Sequence, residues 1–251
     1  MPDLASKSAS LSATEATHKK VDFNTALIKL PVPAYLQKNY WWAYVDPRAV
    51  RIFERGWLIN LILFGNYAKL RNAALEEIGQ PTRGRTLQVA CVYGDLTPRL
   101  SQRHTGNATL DVIDVLPIQL QNLQHKLTPG SDVSLFQRDS AALGFADGSY
   151  DRVLIFFLLH EQPESVRRGT LAEAFRVVKP GGKIVIVDYH RRGKWNLLRY
   201  PLQALLRRLE PFADDLWQHD LAFYFPKNIQ PSNLRKQTFF GGLYQKIVLT
   251  R

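Results

Sequence analysis

Acidic side chains and a histidine follow several apolar, strand-like segments of this 251-residue chain. Asp114 ends the second such segment, Asp139 and Ser140 follow the third, and His160-Glu161 follow the fourth. In an open α/β sheet, ligands bind beyond the carboxyl ends of the strands. A carboxylate after the second strand suits two ribose hydroxyls, and one after the third suits an adenine amino group. Each acid alone is commonly a helix cap, but the set predicts a nucleotide-type ligand.

The stretch from Leu87 to Thr97, LQVACVYGDLT, predicts a buried strand over residues 87–91, a tight turn at Gly94 and a helix starting near Asp95. Such a turn brings backbone close to a ligand and offers free N–H groups and the positive end of a helix dipole. An ordinary βα turn explains this segment alone equally well, because only one glycine of a glycine-rich loop is present. Cys91, the single cysteine, is predicted to be a small buried core residue rather than a nucleophile.

Strand-like and helix-like segments alternate from Arg85 onward, which predicts an α/β fold with a largely parallel sheet and right-handed crossovers. The apolar run over residues 150–159 is typical of a strand buried on both faces. Near the end of the sequence, two glycines at 241–242 are followed by a strand-like segment over 243–249, which predicts an antiparallel edge hairpin. The predicted strands are 87–91, 109–113, 133–138, 150–159, 183–188 and 243–249, and the predicted helices of this region are 95–104, 117–126 and 165–178.

The composition is 45% hydrophobic and 22% charged, which suits one globular domain with an extra layer. The formal net charge of +11 predicts an acidic partner, either nucleic acid, anionic lipid or an anionic ligand. No nucleic-acid-binding motif supports the first of these. With one cysteine the chain forms no internal disulfide, which favours a reducing compartment. The sequence leaves the oligomeric state open.

Residues 1–24 lack an apolar run, which predicts a disordered tail rather than a secretory signal. Residues 25–79 predict a helical cap that faces a membrane, and helices packed on the core are the alternative. One helix is predicted after Asp46-Pro47 and another over 67–78, ending at Gly79. The cap carries aromatic and basic side chains at Tyr40, Trp41, Trp42, Tyr44, Arg48, Arg51 and Arg55.

The apolar run of the cap is far shorter than the ~20 residues that span a bilayer. A second stretch, residues 190–212, has a leucine stripe and a basic face, which is typical of a membrane-surface helix. A core helix with a solvated basic face is the alternative. Both segments predict a peripheral contact with a membrane surface.

Three segments resemble the class I S-adenosylmethionine-dependent methyltransferases: residues 138–163, residues 172–189 with their KPGG signature, and the GDLT turn at 94–97, which is similar to the ubiquinone/menaquinone C-methyltransferase branch. The resemblance implies a Rossmann-like core over residues 80–251, with a mostly parallel seven-stranded sheet, an antiparallel last strand and preceding N-terminal helices. It implies S-adenosylmethionine as cofactor. The residues that it assigns to the cofactor are Gln88, Ala90, Val92, Tyr93, Gly94, Asp95, Asp114, Val115, Asp139 and Ser140.

The chain departs from that branch at three positions. Gln88 stands where the branch places an acid, and Val92 and Tyr93 stand where it places glycine and threonine. With this loop and the aromatic, basic cap, the chain resembles the rhodoquinone-biosynthesis family. That resemblance implies that ubiquinone is converted to rhodoquinone, with a ring methoxy group replaced by an amino group from S-adenosylmethionine and with assistance from manganese. It places the protein on the cytoplasmic face of an inner membrane, or on the matrix side in a mitochondrion.

Tyr93, His160 and Glu161 are the expected catalytic residues under this hypothesis. Asp95, His160 and Glu161 are the expected manganese ligands, because a hard divalent ion prefers oxygen donors. His160 as a general base, or a His160-Glu161 pair that only starts a helix, are alternatives. Gln88 removes a charged partner of the cofactor ammonium, which should ease its deprotonation. A conventional quinone or lipid methyltransferase and a non-enzymatic accessory protein are the alternative functions.

Overall fold

The protein is described by a computed structural model that covers residues 30–190, 210–227 and 231–251. Its strands all belong to one sheet. The strands are β1 (Arg85–Val89), β2 (Thr109–Asp114), β3 (Val133–Gln137), β4 (Tyr150–Phe156), β5 (Val178–Tyr189), β6 (Asn233–Phe239) and β7 (Tyr244–Thr250).

The strand order is β3-β2-β1-β4-β5-β7-β6. The strands β1 to β5 pair in parallel, β7 runs antiparallel to β5, and β6 runs antiparallel to β7. The predicted mixed sheet with a closing edge hairpin is therefore confirmed. The strand order changes direction between β1 and β4, and this is where ligands bind in open α/β sheets.

Helices precede the sheet and connect its strands, and α4, α6, α7 and α8 contact it. A π-helical turn (Trp41–Val45) and two 3₁₀ turns (Leu159–Glu161 and Leu221–Tyr224) complete the helical elements of the described ranges. The helices are α1 (Ala34–Asn39), α2 (Pro47–Phe53), α3 (Gly56–Ile62), α4 (Tyr67–Ile78), α5 (Leu96–Ser101), α6 (Pro117–Lys126), α7 (Glu164–Val177) and α8 (Ala213–Gln218).

The central strands are buried on both faces, as their unbroken apolar sequence predicts. Every side chain of Val153–Ile155 in β4 and of Ile184–Val187 in β5 is fully buried. Leu70 and Ala74 of α4 are also fully buried and belong to the same apolar core. This rigid layer holds the strand ends at which the polar residues collect.

Several strand boundaries differ from the predicted ones, and two of these differences occur at residues with left-handed backbone angles. Ala90 has a φ of 72°, so β1 ends at Val89, and Cys91 lies half-buried in the following loop rather than in the strand. Phe157 has a φ of 50°, so β4 ends at Phe156. The segment after α7 pairs directly with β4, and β5 therefore begins at Val178, five residues earlier than predicted.

Two N-terminal helices begin where the sequence predicts, after Asp46-Pro47 and at Tyr67. The first of them ends at Phe53 and is followed by the separate helix α3, whereas one continuous helix is predicted, and α1 is not predicted at all. Asp46 caps α2, since its Oδ1 accepts a 2.7 Å hydrogen bond from the Arg48 backbone N–H, and Pro47 occupies the first turn. Helix α4 ends at Gly79, whose φ is 96°. Among the described helices, none combines the length and hydrophobicity needed to cross a membrane. The predicted tail at 1–24 and most of the basic stretch at 190–212 lie outside the described residues.

Candidate active site

A cavity of about 620 Å³ lies at the carboxyl ends of the parallel strands, beneath the N-terminal helices. Its walls are largely apolar, and its volume is typical of a small-molecule site. It is lined by the loops that follow β1, β2, β3 and β4, as the spacing of the polar residues predicts. The expected site residues that line it are Ala90, Val92, Tyr93, Asp114, Val115, Asp139, Ser140, His160 and Glu161.

Gln88 lies behind the loop that follows β1 and does not line the cavity. Its side chain is fully buried. Its Nε2 donates to the Ala90 carbonyl oxygen at 3.0 Å, and its Oε1 accepts from the Thr97 hydroxyl at 3.0 Å. A carboxylate has no proton to donate to the Ala90 carbonyl. The amide of Gln88 therefore stabilises the turn rather than contacting a ligand.

The backbone N–H groups at the start of α5 are occupied by side chains from the N-terminal helices. Gly94 N donates to Glu54 Oε1 at 3.0 Å. The N–H groups of Asp95 and Leu96 donate to the Tyr67 hydroxyl at 3.0 Å and 3.2 Å. The sequence left an anion cradle and an ordinary βα turn as alternatives for this segment, and in the structure these amides bind groups of the chain itself.

An ion pair holds the same loop from the other side. Lys126 Nζ lies 2.9 Å from both oxygens of Glu54, and it also donates to the carbonyl oxygens of Val92 at 3.1 Å and Gly94 at 3.0 Å. Asn122 donates to the second Glu54 oxygen at 2.7 Å. Both charged side chains are mostly buried, so solvent screens their attraction weakly. The loop is thus fastened to α2 and to α6.

The ring of Tyr93 stacks between two aromatic side chains of the N-terminal helices. Its centroid lies 5.7 Å from that of Tyr44 and 5.9 Å from that of Phe53, and the rings are nearly parallel. Its hydroxyl donates to the Ala43 carbonyl oxygen at 2.6 Å and accepts from Gln119 Nε2 at 2.9 Å. Burial raises the pKa of Tyr93. The side chain is therefore neutral and fixed, and its ring forms part of the cavity wall.

Asp114 lies at the end of β2 with its carboxylate against backbone amides. Its Oδ2 accepts from Cys91 N at 2.9 Å, and its Oδ1 accepts from Leu116 N at 2.8 Å. Burial raises the pKa of Asp114 to about 6, although these amides act against the shift. The Cys91 thiol and the Val115 N–H also act on this carboxyl. Since a thiol is a weak donor, a ligand hydroxyl can take its place at the carboxylate. Burial also raises the pKa of the Cys91 thiol, so this side chain stays protonated and a poor nucleophile.

Asp139 and Ser140 lie together at the end of β3. Asp139 Oδ1 accepts from Ala141 N at 2.8 Å and caps the turn that follows. The Ser140 hydroxyl lies 2.8 Å from that of Thr170 and accepts from Gln162 Nε2 at 3.0 Å. One Asp139 oxygen remains without a hydrogen bond among the described residues and can accept from a ligand.

His160 is buried beside three carboxyl groups. Its Nδ1 lies 2.8 Å from Asp188 Oδ1, and its Nε2 lies 3.7 Å from Glu161 Oε1 and 3.6 Å from Glu210 Oε2. Burial opposes a positive charge on His160, but the carboxylates, with Asp188 foremost, outweigh it and raise the pKa to about 9. The imidazole is therefore cationic near neutral pH, with Nδ1 committed to Asp188.

Glu161 and Glu210 face the same part of the cavity. Burial raises the pKa of Glu161 to about 8, although the charge of His160 opposes the shift. The Tyr44 hydroxyl donates to Glu161. Burial also raises the pKa of Glu210. Because the pKa of Glu161 lies close to neutral pH, its carboxyl group can gain or lose a proton at low energetic cost. Such a group suits binding of a cation or transfer of a proton.

Asp95 lies apart from these residues. Its Oδ1 pairs with Arg71 at 2.6 Å and its Oδ2 with Arg99 at 2.5 Å, and it does not line the cavity. Gly94 does not line it either. Gln88, Gly94 and Asp95 are therefore the expected site residues that the structure does not bring to the cavity wall.

Residues 86–182 match the family model of a methyltransferase domain. This part of the chain is therefore similar in sequence to methyltransferase domains. A demethylmenaquinone methyltransferase of Staphylococcus aureus (strain MRSA252) is 30% identical over 131 residues, which are 52% of this chain and 54% of that protein. One from Renibacterium salmoninarum is 32% identical over 130 residues, 52% of each chain. The chain spans about half the length of the curated relatives it matches.

Solved structures of methyltransferases share the fold of the domain. Magnesium protoporphyrin IX methyltransferase from Synechocystis PCC 6803 aligns with a TM-score of 0.59 at 13% identity, over 84% of this chain and 96% of that one. The N-methyltransferase NodS from Bradyrhizobium japonicum WM9 aligns with a TM-score of 0.53 at 14% identity, over 76% and 96%. At this identity the likeness establishes the fold alone.

The expected manganese site is not formed. Asp95 is bound to two arginines, and His160 Nδ1 is bound to Asp188. Within the described ranges, no group of three or more histidine, cysteine or acidic side chains is arranged to hold a metal ion. We therefore derive no chemical step through manganese.

The sequence did not point to Glu210 or Glu54, and it indicated Tyr40 only as one of the aromatic side chains of the cap. Glu210 lies in a stretch dominated by leucine and arginine, and Glu54 is one charge among several arginines of the cap. Neither position follows a strand or forms a motif with the residues that it contacts. Only the close approach of distant segments brings these side chains to the strand ends.

Proposed function

We propose that the protein is an S-adenosylmethionine-dependent enzyme that acts on a membrane quinone, and that it converts ubiquinone to rhodoquinone. The observation that carries this proposal is the loop after β1. Its N–H groups are taken by Glu54 and Tyr67, and Tyr93 fills the position where related sequences have a small residue. This arrangement argues against holding the amino-acid end of S-adenosylmethionine as in ordinary methyl transfer.

The adenosine part of S-adenosylmethionine is assigned to the ends of β2 and β3. Asp114 would accept the ribose hydroxyls in place of the Cys91 thiol, and Asp139 would accept from the adenine amino group. Val115 and Ser140 line the cavity beside them. These contacts do not depend on the altered loop, so the adenosine site is retained while the amino-acid end is redirected.

The quinone is assigned to the apolar part of the cavity beneath the N-terminal helices. In the reaction, the amino nitrogen of S-adenosylmethionine forms a bond to the ring carbon that carries the methoxy group. Methoxide leaves and takes up the proton that the nitrogen loses, so methanol is released. The bond between this nitrogen and the α-carbon of the co-substrate is then broken in two stages. The α-carbon loses its proton, and the quinone ring takes up the electron pair and becomes a hydroquinone with a C=N bond to the co-substrate. Water hydrolyses that C=N bond, so the amino group stays on the ring and the rest of the co-substrate leaves as an α-keto acid. The protonated His160 would donate a hydrogen bond from Nε2 to a quinone oxygen and withdraw electrons from the ring.

A conventional methyl transfer to a quinone is the second candidate. It is favoured by the relatives, which are named demethylmenaquinone methyltransferases. One assay separates the two functions. Purified protein is incubated with ubiquinone or a demethylated quinone and with S-adenosylmethionine labelled with heavy nitrogen at its amino group, with and without manganese, and the quinones are weighed by mass spectrometry.

A lighter, labelled product from ubiquinone supports amino transfer. An unlabelled product heavier by one methyl group shows methyl transfer and overturns the rhodoquinone proposal. The double variant Val92→Gly/Tyr93→Thr restores the small residues of the related loop, and we expect it to lose amino transfer while the folded protein still binds S-adenosylhomocysteine. Intact amino transfer in that variant would contradict the role of the loop.

We also propose that the N-terminal helices rest on the membrane that supplies the quinone, on the cytoplasmic face of an inner membrane or on the matrix side in a mitochondrion. Trp57 and Leu61 of α3 are 64% and 65% exposed, and Trp41 is 53% exposed. Arg48 and Arg51 of α2 are exposed beside them, and such a pairing of aromatic and basic groups suits anionic lipid. Sedimentation with vesicles containing phosphatidylglycerol should capture the protein, and Trp57→Ser/Leu61→Ser should weaken capture without altering the fold.

A further inference from the structure

Four acidic side chains line the described part of the cavity, and two of them have no assigned ligand. Asp114 and Asp139 lie at the ends of β2 and β3, where the adenosine part is assigned. Glu161 and Glu210 lie at the other polar part of the wall, beside His160. Asp188 lies behind the imidazole, so three carboxyl groups surround His160, and the buried Arg167 is a second basic side chain that acts on this part of the wall. Because burial raises the pKa values of Glu161 and Glu210, these carboxyl groups hold protons that a cationic ligand could replace.

Glu210 has a buried oxygen that nothing described in the protein satisfies. Its Oε2 is removed from solvent and makes no hydrogen bond to the residues of the described ranges. His160 Nε2 lies 3.6 Å from this oxygen, which is beyond hydrogen-bond distance. A buried carboxylate oxygen without a donor is costly, and a ligand donor would remove that cost.

Tyr40 adds a second unsatisfied group at the same place. Its side chain is 1% exposed, its ring lines the cavity, and its hydroxyl has no hydrogen-bond partner among the described residues. Burial raises the pKa of Tyr40, and the neighbouring charges of Glu161 and Glu210 raise it further. The hydroxyl thus lies within the field of the two carboxyl groups, and it too can accept a hydrogen bond from a ligand.

The loop after β1 provides no acidic partner for a cation within the cavity. Gln88 carries no charge, and its amide is used inside the turn. Glu54 is neutralised by Lys126 and accepts from Gly94 N. An amino group that enters the cavity therefore finds its acidic partners at Glu161 and Glu210 rather than at the loop.

We propose that Glu161 and Glu210, together with the Tyr40 hydroxyl, form the binding site for the α-ammonium group of S-adenosylmethionine. This inference rests on the proposed function, since it takes S-adenosylmethionine as the co-substrate. An ammonium group has three N–H donors, and the site offers two carboxylates and one hydroxyl as acceptors. Hydrogen bonds between charged partners in a buried site are the strong ones. The site sets the direction in which the amino nitrogen faces the quinone.

The test compares two ligands that differ only in the amino group. Binding of S-adenosylhomocysteine, and of its deamino analogue with hydrogen in place of the α-amino group, is measured by calorimetry on the full chain. We expect wild-type protein to bind the amino compound about tenfold to a hundredfold more tightly. Glu210→Gln should reduce this ratio towards one by weakening S-adenosylhomocysteine alone. Glu164→Gln, the same change at an exposed position of α7, should keep the wild-type ratio.

The outcomes distinguish this inference from the proposed function. An unchanged ratio in folded Glu210→Gln and Glu161→Gln protein overturns the ammonium site while leaving S-adenosylmethionine as co-substrate. If wild-type protein binds neither ligand, both proposals are wrong. A ratio that changes only when manganese is added assigns the carboxylates to a metal and overturns the inference. Glu210→Gln replaces one side chain by another of the same shape, and Tyr40→Phe provides an independent second variant should either glutamine variant fail to fold.

Discussion

The Tyr93 hydroxyl donates a 2.6 Å hydrogen bond to the carbonyl oxygen of Ala43, 50 residues earlier in the chain. This contact joins the loop after β1 to the π-helical turn of the N-terminal segment. Gln119 of α6 donates to the same hydroxyl at 2.9 Å, so the three segments meet at one oxygen atom. Tyr93 therefore connects the N-terminal helices to the domain that contains the sheet.

Removal of this hydroxyl should destabilise the protein. Tyr93→Phe keeps the ring stack but leaves the Ala43 carbonyl and the Gln119 amide without their partner, and we expect a loss of about 1–3 kcal/mol in the free energy of unfolding. Tyr40→Phe is the matched control, because the Tyr40 hydroxyl has no described partner and its loss should be neutral or slightly stabilising. Urea unfolding of both variants measures the difference. Equal stabilities would contradict the role assigned to the Tyr93 hydroxyl.

Gly94 should tolerate no side chain. Its φ is 84°, and a Cβ atom there would lie 2.5 Å from the Tyr67 hydroxyl, which must then move and release two amides of α5. Gly65 also has a positive φ, of 77°, but has open space around it. We expect Gly65→Ala to cost about 1 kcal/mol from backbone strain alone, and Gly94→Ala to cost clearly more. Thermal unfolding of the two variants separates strain from the lost contact.

Asp114 and Asp95 should differ in their effect on ligand affinity, although the sequence resemblance assigns both to the cofactor. Asp114→Asn removes the charge and an acceptor at the cavity wall, so we expect the Kd for S-adenosylhomocysteine to rise about tenfold or more. Asp95→Asn acts outside the cavity, where the carboxylate is bound to arginines, and should leave the Kd nearly unchanged. Calorimetry on both variants measures the contrast. A larger effect of Asp95→Asn would place the cofactor elsewhere.

Stability should fall as pH rises across the neutral range. Folding raises the pKa of Asp114 to about 6, of Glu161 to about 8 and of His160 to about 9, so the folded state binds these protons more tightly than the unfolded chain. Their contribution is complete below the unfolded pKa values and is lost as pH rises through the folded ones. We expect the free energy of unfolding to decrease between about pH 5 and pH 9.

In the variant Glu161→Gln, the free energy of unfolding should fall less steeply between about pH 5 and pH 8, because the amide does not titrate. Other carboxyl groups act in the opposite sense. Although burial opposes the shift, ion pairs lower the pKa of Asp95 and of Glu77, so their contribution is lost on acidification below about pH 4.5. Urea unfolding at a series of pH values measures both the loss of stability as the pH rises and the loss on acidification. A stability that rises steadily from pH 5 to pH 9 would contradict the buried, protonated cluster.

The ends of several helices could be predicted from the sequence because caps, prolines and glycines act on the backbone next to them. The helix at Pro47 follows from a cap and a proline, α4 ends at a glycine, and α6 coincides with its predicted span. Strand ends were less predictable. Ala90 and Phe157 adopt left-handed angles that neither residue favours, and only the packing of the surrounding loops imposes them.

The sequence by itself determined the α/β architecture, the mixed sheet, and the collection of Asp114, Asp139 and His160-Glu161 at one edge. Hydrophobic periodicity and the geometry of parallel strands suffice for these features, since the carboxyl ends of parallel strands lie at the same edge of the sheet. Tertiary structure alone decided that Glu54 and Tyr67 occupy the loop amides, that Asp95 turns away to arginines, and that Glu210 joins His160. These contacts join segments far apart in the chain, and their energies depend on burial and distance, which no local pattern encodes.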